Sequence, residues 1–209
     1  MPDLSDTIRR RYDRIAPLFD KMDRMVKDKY RAELLGQVRG EVLEVGVGTG
    51  VNLPLYPEGL HVTAIDFSPR MLRYAEERAK KSRARVRLLH MDVQHLQFED
   101  DTFDSAVSTC VFCSVPDPVA GLREIRRVLK PEGRLYMIEH MLSDHLPIAL
   151  LLHVLNPLVV RMVGANVNRK TMENLRLAGF SIDRVRLIGF VDVFRMIVAS
   201  PNKADQAHE

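Results

Sequence analysis

Residues 43–50 read Leu43-Glu44-Val45-Gly46-Val47-Gly48-Thr49-Gly50, a glycine-rich turn directly behind a short apolar run. Such a turn lets the backbone approach a nucleotide closely, and some of its positions can take positive φ. The spacing departs from the dinucleotide fingerprint G-x-G-x-x-G, because the glycines fall at 46, 48 and 50 and position 51 is Val. Glu44, two places before the first glycine, would repel a pyrophosphate. It suits a ligand that carries ammonium and sulfonium charge. Val51 and Glu44 together argue against a nicotinamide oxidoreductase.

Two further acids follow at strand ends. Asp66 closes a second apolar run and can accept both hydroxyls of a ribose, and Asp92 closes a third and can accept from an adenine amino group. Any one of these acids has a plain alternative as a solvated loop residue or helix cap. Their joint placement after the first three strands, where open α/β sheets hold their ligand crevice, favours a site. His140 directly follows the fifth strand, so it either accepts a proton from a reacting group or only orients substrate. Cys110 and Cys113 lie at the end of a strand and have no second pair to complete a zinc site. They read as apolar lining, and no metal centre is expected.

These residues need a parallel sheet to bring them to one edge. Strands are expected at Glu41–Val45, His61–Ile65, Arg85–Met91, Phe103–Val111, Arg134–Glu139, Ile182–Ile188 and Val191–Ala199. Helices are expected from Ser68-Pro69, with Ser as N-cap, over Asp117–Leu129, and over Arg169–Ala178 before Gly179. Lys130-Pro131-Glu132-Gly133 reads as a turn. The strands alternate with helices and are nearly continuously apolar, which predicts a doubly wound α/β fold. Its mostly parallel seven-stranded sheet ends in an antiparallel strand.

The organisation reads as one domain. Residues 1–39 form an amino-terminal helical cap, with apolar residues Leu4, Ile8, Tyr12 and Ile15 on one face and a break at Pro17. The core is 40–140, an apolar insert occupies 141–168, and 169–200 holds a helix and hairpin. Leu146–Val163 is strongly apolar but interrupted by Pro147, Asn156 and Pro157. It is at the short limit for a membrane span, so a lid over the crevice or a buried packing segment is preferred.

The chain has 209 residues, 46% apolar and 28% charged, ordinary values for a globular protein. Residues 1–39 hold ten Lys/Arg against seven acids and so carry the whole +3 surplus. That is too mild for nucleic acid. It fits either an interfacial helix on anionic lipid or a solvated helix whose apolar stripe closes the site. With no readable signal peptide and two unpaired cysteines, a cytoplasmic protein is expected, with peripheral contact at the inner face of the membrane as an option. The tail from Pro201 to Glu209 is expected to fray.

Glu44–Gly50, Asp66-Phe67-Ser68, Asp92 and the Val128–Gly133 turn resemble the motifs of class I S-adenosylmethionine-dependent methyltransferases, a Rossmann-like family. The resemblance implies that the glycine loop lies under the methionine part of the cofactor. It also implies that Asp66 and Asp92 bind ribose and adenine. Carried over, Phe67 or Met71 packs on the adenine beside Val93 and Ser68, and Ser108, Thr109 and the residues to Val111 line the methyl-donor side. Tyr12-Asp13-Arg14-Ile15-Ala16-Pro17-Leu18-Phe19-Asp20 is similar to a segment shared by bacterial phospholipid N-methyltransferases and the ubiquinone/menaquinone methyltransferases, where it caps the cofactor. Phe19 stands where Tyr is commoner. The Val111–Pro118 loop looks more like the phospholipid branch, and Gly164–Arg169 like membrane-associated thiol methyltransferases.

The implied reaction is an in-line methyl transfer that needs mainly proximity and alignment. Tyr12 is a candidate for substrate or cofactor contact, and His140 for the base. A lipophilic amine headgroup, that of phosphatidylethanolamine, is the preferred acceptor. A small lipophilic thiol, phenol or quinone is the competitor, and a non-catalytic cofactor-binding scaffold is the alternative of another class.

Overall fold

The computed structural model describes residues 4–16, 25–189 and 191–203. Seven strands form one sheet: β1 (Glu41–Val45), β2 (His61–Asp66), β3 (Arg85–His90), β4 (Phe103–Thr109), β5 (Leu129–His140), β6 (Phe180–Gly189) and β7 (Phe194–Pro201). Their order is β3-β2-β1-β4-β5-β7-β6. β1 to β5 run parallel, and β7 is inserted antiparallel between β5 and β6. Strand order reverses between β1 and β4, and a doubly wound sheet opens its crevice at that switch point. Both faces are covered. Leu43, Val45, Leu122 and Ile125 belong to one apolar cluster, and Val42, Leu34, Leu35 and Leu72 to the other. This two-sided burial is why the parallel strands are apolar without alternation.

Among the described residues six α-helices accompany the sheet: α1 (Leu4–Ile15), α2 (Asp28–Leu35), α3 (Pro69–Ala79), α4 (Pro118–Val128), α5 (Leu146–Val163) and α6 (Thr171–Leu177). Ser68 caps α3 by accepting from Met71 N at 3.1 Å, and Asp117 caps α4 by accepting from Val119 N and Ala120 N. α1 ends before Pro17 as the missing N–H requires. The remainder of the amino-terminal motif, including Phe19, lies outside the described residues, as do residues 204–209.

Four expectations are corrected. β4 stops at Thr109 instead of Val111 because Cys110 takes φ 55° and turns the chain out of the sheet. β5 begins at Leu129, since Phe103 pairs with Leu129 before the register jumps to Ser105 and Arg134 across the presumed turn. The hairpin partner β7 starts at Phe194, because Val191 at φ 59° still belongs to the connection. α5 runs through 18 residues without interruption. Pro147 sits in the first turn, where its missing N–H costs nothing, and Pro157 removes one internal bond without ending the helix. Asn156 is used instead of breaking the helix: its side chain accepts from Val167 N at 2.9 Å, just beyond the left-handed cap at Gly164.

α5 is also the exception to the burial pattern. Leu146, Leu150, Leu151, Val154, Leu155, Leu158 and Met162 are all exposed, at steps that align them on one side. Among the described residues no helix is long and apolar enough to cross a membrane.

Candidate active site

A cavity, partly open to solvent, lies at the carboxyl ends of β1, β2 and β4. Its floor is the glycine loop. Gly46 has φ +62°, and a Cβ there would stand 2.5 Å from Val111 Cγ2, so no other residue lets β1 and the β4 loop meet. Gly48 N donates to Asp66 Oδ2 and Ser68 N to Asp66 Oδ1, both at 2.8 Å. These two donors orient a carboxylate that is nearly fully buried. Burial pushes its pKa up to about 6, and the two N–H groups oppose that rise.

Asp92 and Val93 close the β3 side of the cavity, and Phe67, Tyr12 and Thr109 also line it. Asp92 Oδ1 accepts Gln94 N at 2.9 Å, which fixes the carboxyl group at the end of the loop. Tyr12 reaches the cavity from α1. Its ring stands edge-on to Phe67 at 5.6 Å, and its hydroxyl hydrogen-bonds the Ser114 hydroxyl. Burial pushes that phenol well above its ordinary value, with Cys113 adding to the rise. Ser68 Oγ donates to Asp13 Oδ1 at 2.6 Å and Arg11 Nη1 to the Val160 carbonyl at 2.7 Å. Three polar contacts therefore tie α1 across the crevice, to the β4 loop, the start of α3 and the end of α5.

Five expected site residues stand elsewhere. Gly50 lies against α3, where a Cβ would come 2.9 Å from Ala75 Cα, so it serves packing between loop and helix. Ser68 and Met71 are fully buried and form the α3 cap, away from the cavity wall. Phe67 alone of the two adenine candidates lines the cavity. Ser108 points its hydroxyl at Glu139 Oε1, 2.9 Å away, because the two side chains project from the same face of the β4–β5 pair. His140 does not line the cavity either: its ring packs against Phe194 at 5.9 Å, and desolvation pushes its pKa down to about 4. Cys110 lines the cavity and Cys113 is buried beside it, where burial pushes its thiol up to about 12.

Sequence reasoning passed over Arg31, Asn52, Ser114 and Glu139. Arg31 and Asn52 are almost fully buried and line the cavity. Arg31 Nη1 donates to Asn52 Oδ1 at 2.8 Å, and Asn52 Nδ2 donates to Glu44 Oε1 at 2.8 Å and Thr109 Oγ1 at 3.1 Å. A cation on the apolar side of α2 was the one available signal. Glu139 is fully buried and gathers Ser108, Val111 N and Phe112 N on a single oxygen.

The donor and acceptor set suits S-adenosylmethionine. A glycine loop with close backbone approach, a preset acid at β2 and a second acid after β3 meet the needs of an adenosine. The buried Glu44 carboxylate faces the same cavity on the β1 side.

Comparison with known proteins agrees. Residues 43–137 match the model of the methyltransferase domain family. The chain is 36% identical over 149 residues to a phosphatidylethanolamine N-methyltransferase of Cereibacter sphaeroides, covering 69% of this chain and 73% of that one. It is 32% identical over 153 residues to a human thiol S-methyltransferase, covering 63% of this chain but only 58% of that relative. Among solved structures, a SAM-dependent methyltransferase of Methanosarcina mazei superposes with a TM-score of 0.63 at 27% identity, over 77% of this chain and 91% of that one. With the β1–β4 switch point, the glycine loop and the two strand-end acids all in place, this chain belongs to the class I S-adenosylmethionine-dependent methyltransferases.

Proposed function

We propose that the chain methylates the amine headgroup of phosphatidylethanolamine or its partly methylated derivatives, working at a membrane surface. The observation that carries this reading is the outward apolar side of α5, seven large aliphatic or thioether side chains held in solvent. A monomeric soluble protein rarely keeps such a patch without a use for it. α5 is joined to the cavity by the segment that follows it, since Asn166 donates to the Cys113 carbonyl through N at 2.8 Å and Nδ2 at 3.1 Å. The neighbouring Ser114, Val115 and Pro116 line the cavity. In this reading a lipid held against α5 presents its headgroup to the site along that connection. Exposed Arg10, Arg14 and Arg161 lie on α1 and α5, and each contributes ~1 kcal/mol when close to anionic lipid. The identity to the Cereibacter enzyme supports the same acceptor class.

Bound S-adenosylmethionine supplies a methyl group on a sulfonium leaving group. In the proposed roles, Asp66 and Asp92 hold the adenosine, the Gly46–Gly48 backbone lies beneath the methionine part, and Tyr12 closes the roof. The amine forms its new N–C bond as the S–C bond breaks, and the ammonium proton leaves to water. No buried base is required, which fits the absence of His140 from the cavity wall.

The test is a transfer assay with labelled cofactor, offering phosphatidylethanolamine vesicles and a small lipophilic thiol in parallel, with co-sedimentation on anionic vesicles at low salt. Methylated lipid together with sedimentation is the expected result. Full turnover of the thiol, with neither lipid methylation nor sedimentation, would replace this reading by the thiol activity that the human relative is named for.

A further inference from the structure

We infer that Arg169 is the receptor for the phosphate diester of the acceptor lipid, placed at the cavity edge between α5 and the Ser114–Pro116 wall. The inference rests on the phospholipid reading above and gives that acceptor a second point of recognition besides its amine.

Arg169 lies in the segment between α5 and α6 and is not among the residues that line the cofactor cavity. Its carbonyl accepts from Leu142 N at 2.9 Å, and its Nη2 donates to the Val115 carbonyl at 2.7 Å. Val115 does line the cavity, so the half-buried guanidinium is tied to the cavity wall. The preceding residue reaches the other way: Asn168 Nδ2 donates to His153 Nδ1 at 3.1 Å, and His153 is exposed on α5. Residues 168 and 169 therefore span from the apolar helix to the edge of the site.

The chain itself leaves this cation under-used. Its Nε is buried and has no hydrogen-bond partner. Burial works against its charge, and Asp117, which offsets this, is committed to capping α4 through Val119 N and Ala120 N. Holding the Val115 carbonyl needs only one neutral donor, whereas a guanidinium with an unpaired buried N–H is costly for that task alone. An anion resolves both the charge and the missing partner. Phosphate oxygens suit a guanidinium because they accept from its N–H groups in pairs.

The shape of the lipid agrees with this placement. In phosphatidylethanolamine two carbons separate the phosphate ester oxygen from the amine, and the acyl chains leave from the other side of the phosphate. A phosphate on Arg169 sends the chains toward the exposed side of α5 and the amine toward Ser114 and Val115. Thiols and quinones carry no such group, so Arg169 separates a phospholipid acceptor from those competitors.

The experiment titrates protein saturated with S-adenosylhomocysteine against three ligands. They are soluble dihexanoylphosphatidylethanolamine, its analogue in which an ether replaces the phosphate, and inorganic phosphate. Wild type is expected to bind the phospholipid about tenfold or more tightly than the ether. Arg169→Gln should remove that difference while binding the ether within about twofold of wild type. Equal affinity of wild type for both lipids, or none for either, would overturn the assignment whether or not the variant folds. Inorganic phosphate bound as tightly as the lipid would also overturn it, leaving a general anion site. A preference that survives in Arg169→Gln would move the receptor to another residue. The same two lipids are then offered with S-adenosylmethionine. An Arg169-dependent preference without methylation would keep the phosphate site and remove phosphatidylethanolamine as the acceptor.

Discussion

Glu139 Oε1 accepts the Val111 N–H at 2.9 Å, and Val111 in turn lies directly over Gly46 of the nucleotide loop. A fully buried acid on β5 therefore sets the height of the wall above the cofactor floor without entering the cavity. The same oxygen takes Ser108 Oγ and Phe112 N, so it holds the chain on both sides of the left-handed Cys110. Further along the loop, Ser114 bonds Tyr12 and the Cys113 carbonyl takes Asn166. Residues 110–116 connect four elements, and Glu139 is their fixed point.

Burial pushes the Glu139 pKa from an ordinary 4.5 up to about 7, against the pull of its three donors. An acid with a raised folded pKa binds its proton more tightly in the native state. Its favourable contribution is complete below 4.5 and is lost as pH rises to about 7. Ligand-free protein should therefore lose on the order of 3 kcal/mol from this group between those limits. Thermal unfolding followed from pH 4.5 to 8 should show that decline in wild type and a flatter profile in Glu139→Gln. An equally steep decline in the variant would place its origin elsewhere. Glu139→Ala leaves three donors without an acceptor and should cost about 3 kcal/mol or more at pH 4.5, a difference that narrows as pH rises and the wild-type carboxyl ionises.

Gly50 separates packing from binding. A Cβ there meets Ala75 Cα at 2.9 Å, and φ is +86°. Gly50→Ala should lower stability by about 2–4 kcal/mol through backbone strain and displacement of α3. Its affinity for S-adenosylhomocysteine, measured well below the melting temperature, should stay within about threefold, since Gly50 does not line the cavity. Unchanged stability with lost binding would return Gly50 to the site.

What the sequence made legible was local. The Glu44–Gly50 turn, Asp66 at its strand end and the Ser68-Pro69 cap depend on neighbours within a few residues, and the folded chain uses them where pattern reading put them. Arg31 and Asn52 are 21 residues apart, and Val111 and Glu139 are 28 apart. Nothing in either neighbourhood marks the pairing; the fold of α2 and β5 against β1 and β4 creates it. Met71 and Ser108 failed as site residues for the converse reason. Both stand near motif positions, but helix phase and strand alternation turn them inward. Pro157 stays inside α5 because the helix keeps its apolar continuity on either side at the loss of one hydrogen bond.

In the proposed ribose role, Asp66 should make cofactor binding pH-dependent. Burial pushes its carboxyl up to about 6. Only the ionised form leaves both oxygens able to accept from ribose hydroxyls. Affinity for S-adenosylhomocysteine should fall as pH drops from 7 to 5, by up to about tenfold per unit once below 6. Asp66→Ala should bind about tenfold or more weakly at pH 7.5. An affinity independent of pH, and indifferent to that substitution, would remove Asp66 from the ribose site.

His140 is the remaining candidate for a base, and its surroundings argue against that role. Desolvation holds its pKa down to about 4, so the imidazole is neutral throughout the range in which a methyl-transfer assay is run. Neutrality would allow it to accept a proton, but position does not: the ring packs on Phe194 and stands outside the cavity wall. His140→Ala should therefore change kcat by no more than about threefold with whichever acceptor turns over, well short of the ~100-fold or greater loss of a general base. The pH–rate profile of the variant should overlay that of wild type. A loss of two orders of magnitude, with S-adenosylhomocysteine affinity unchanged, would bring the imidazole back to the reacting centre and imply that substrate approaches from the Phe194 side.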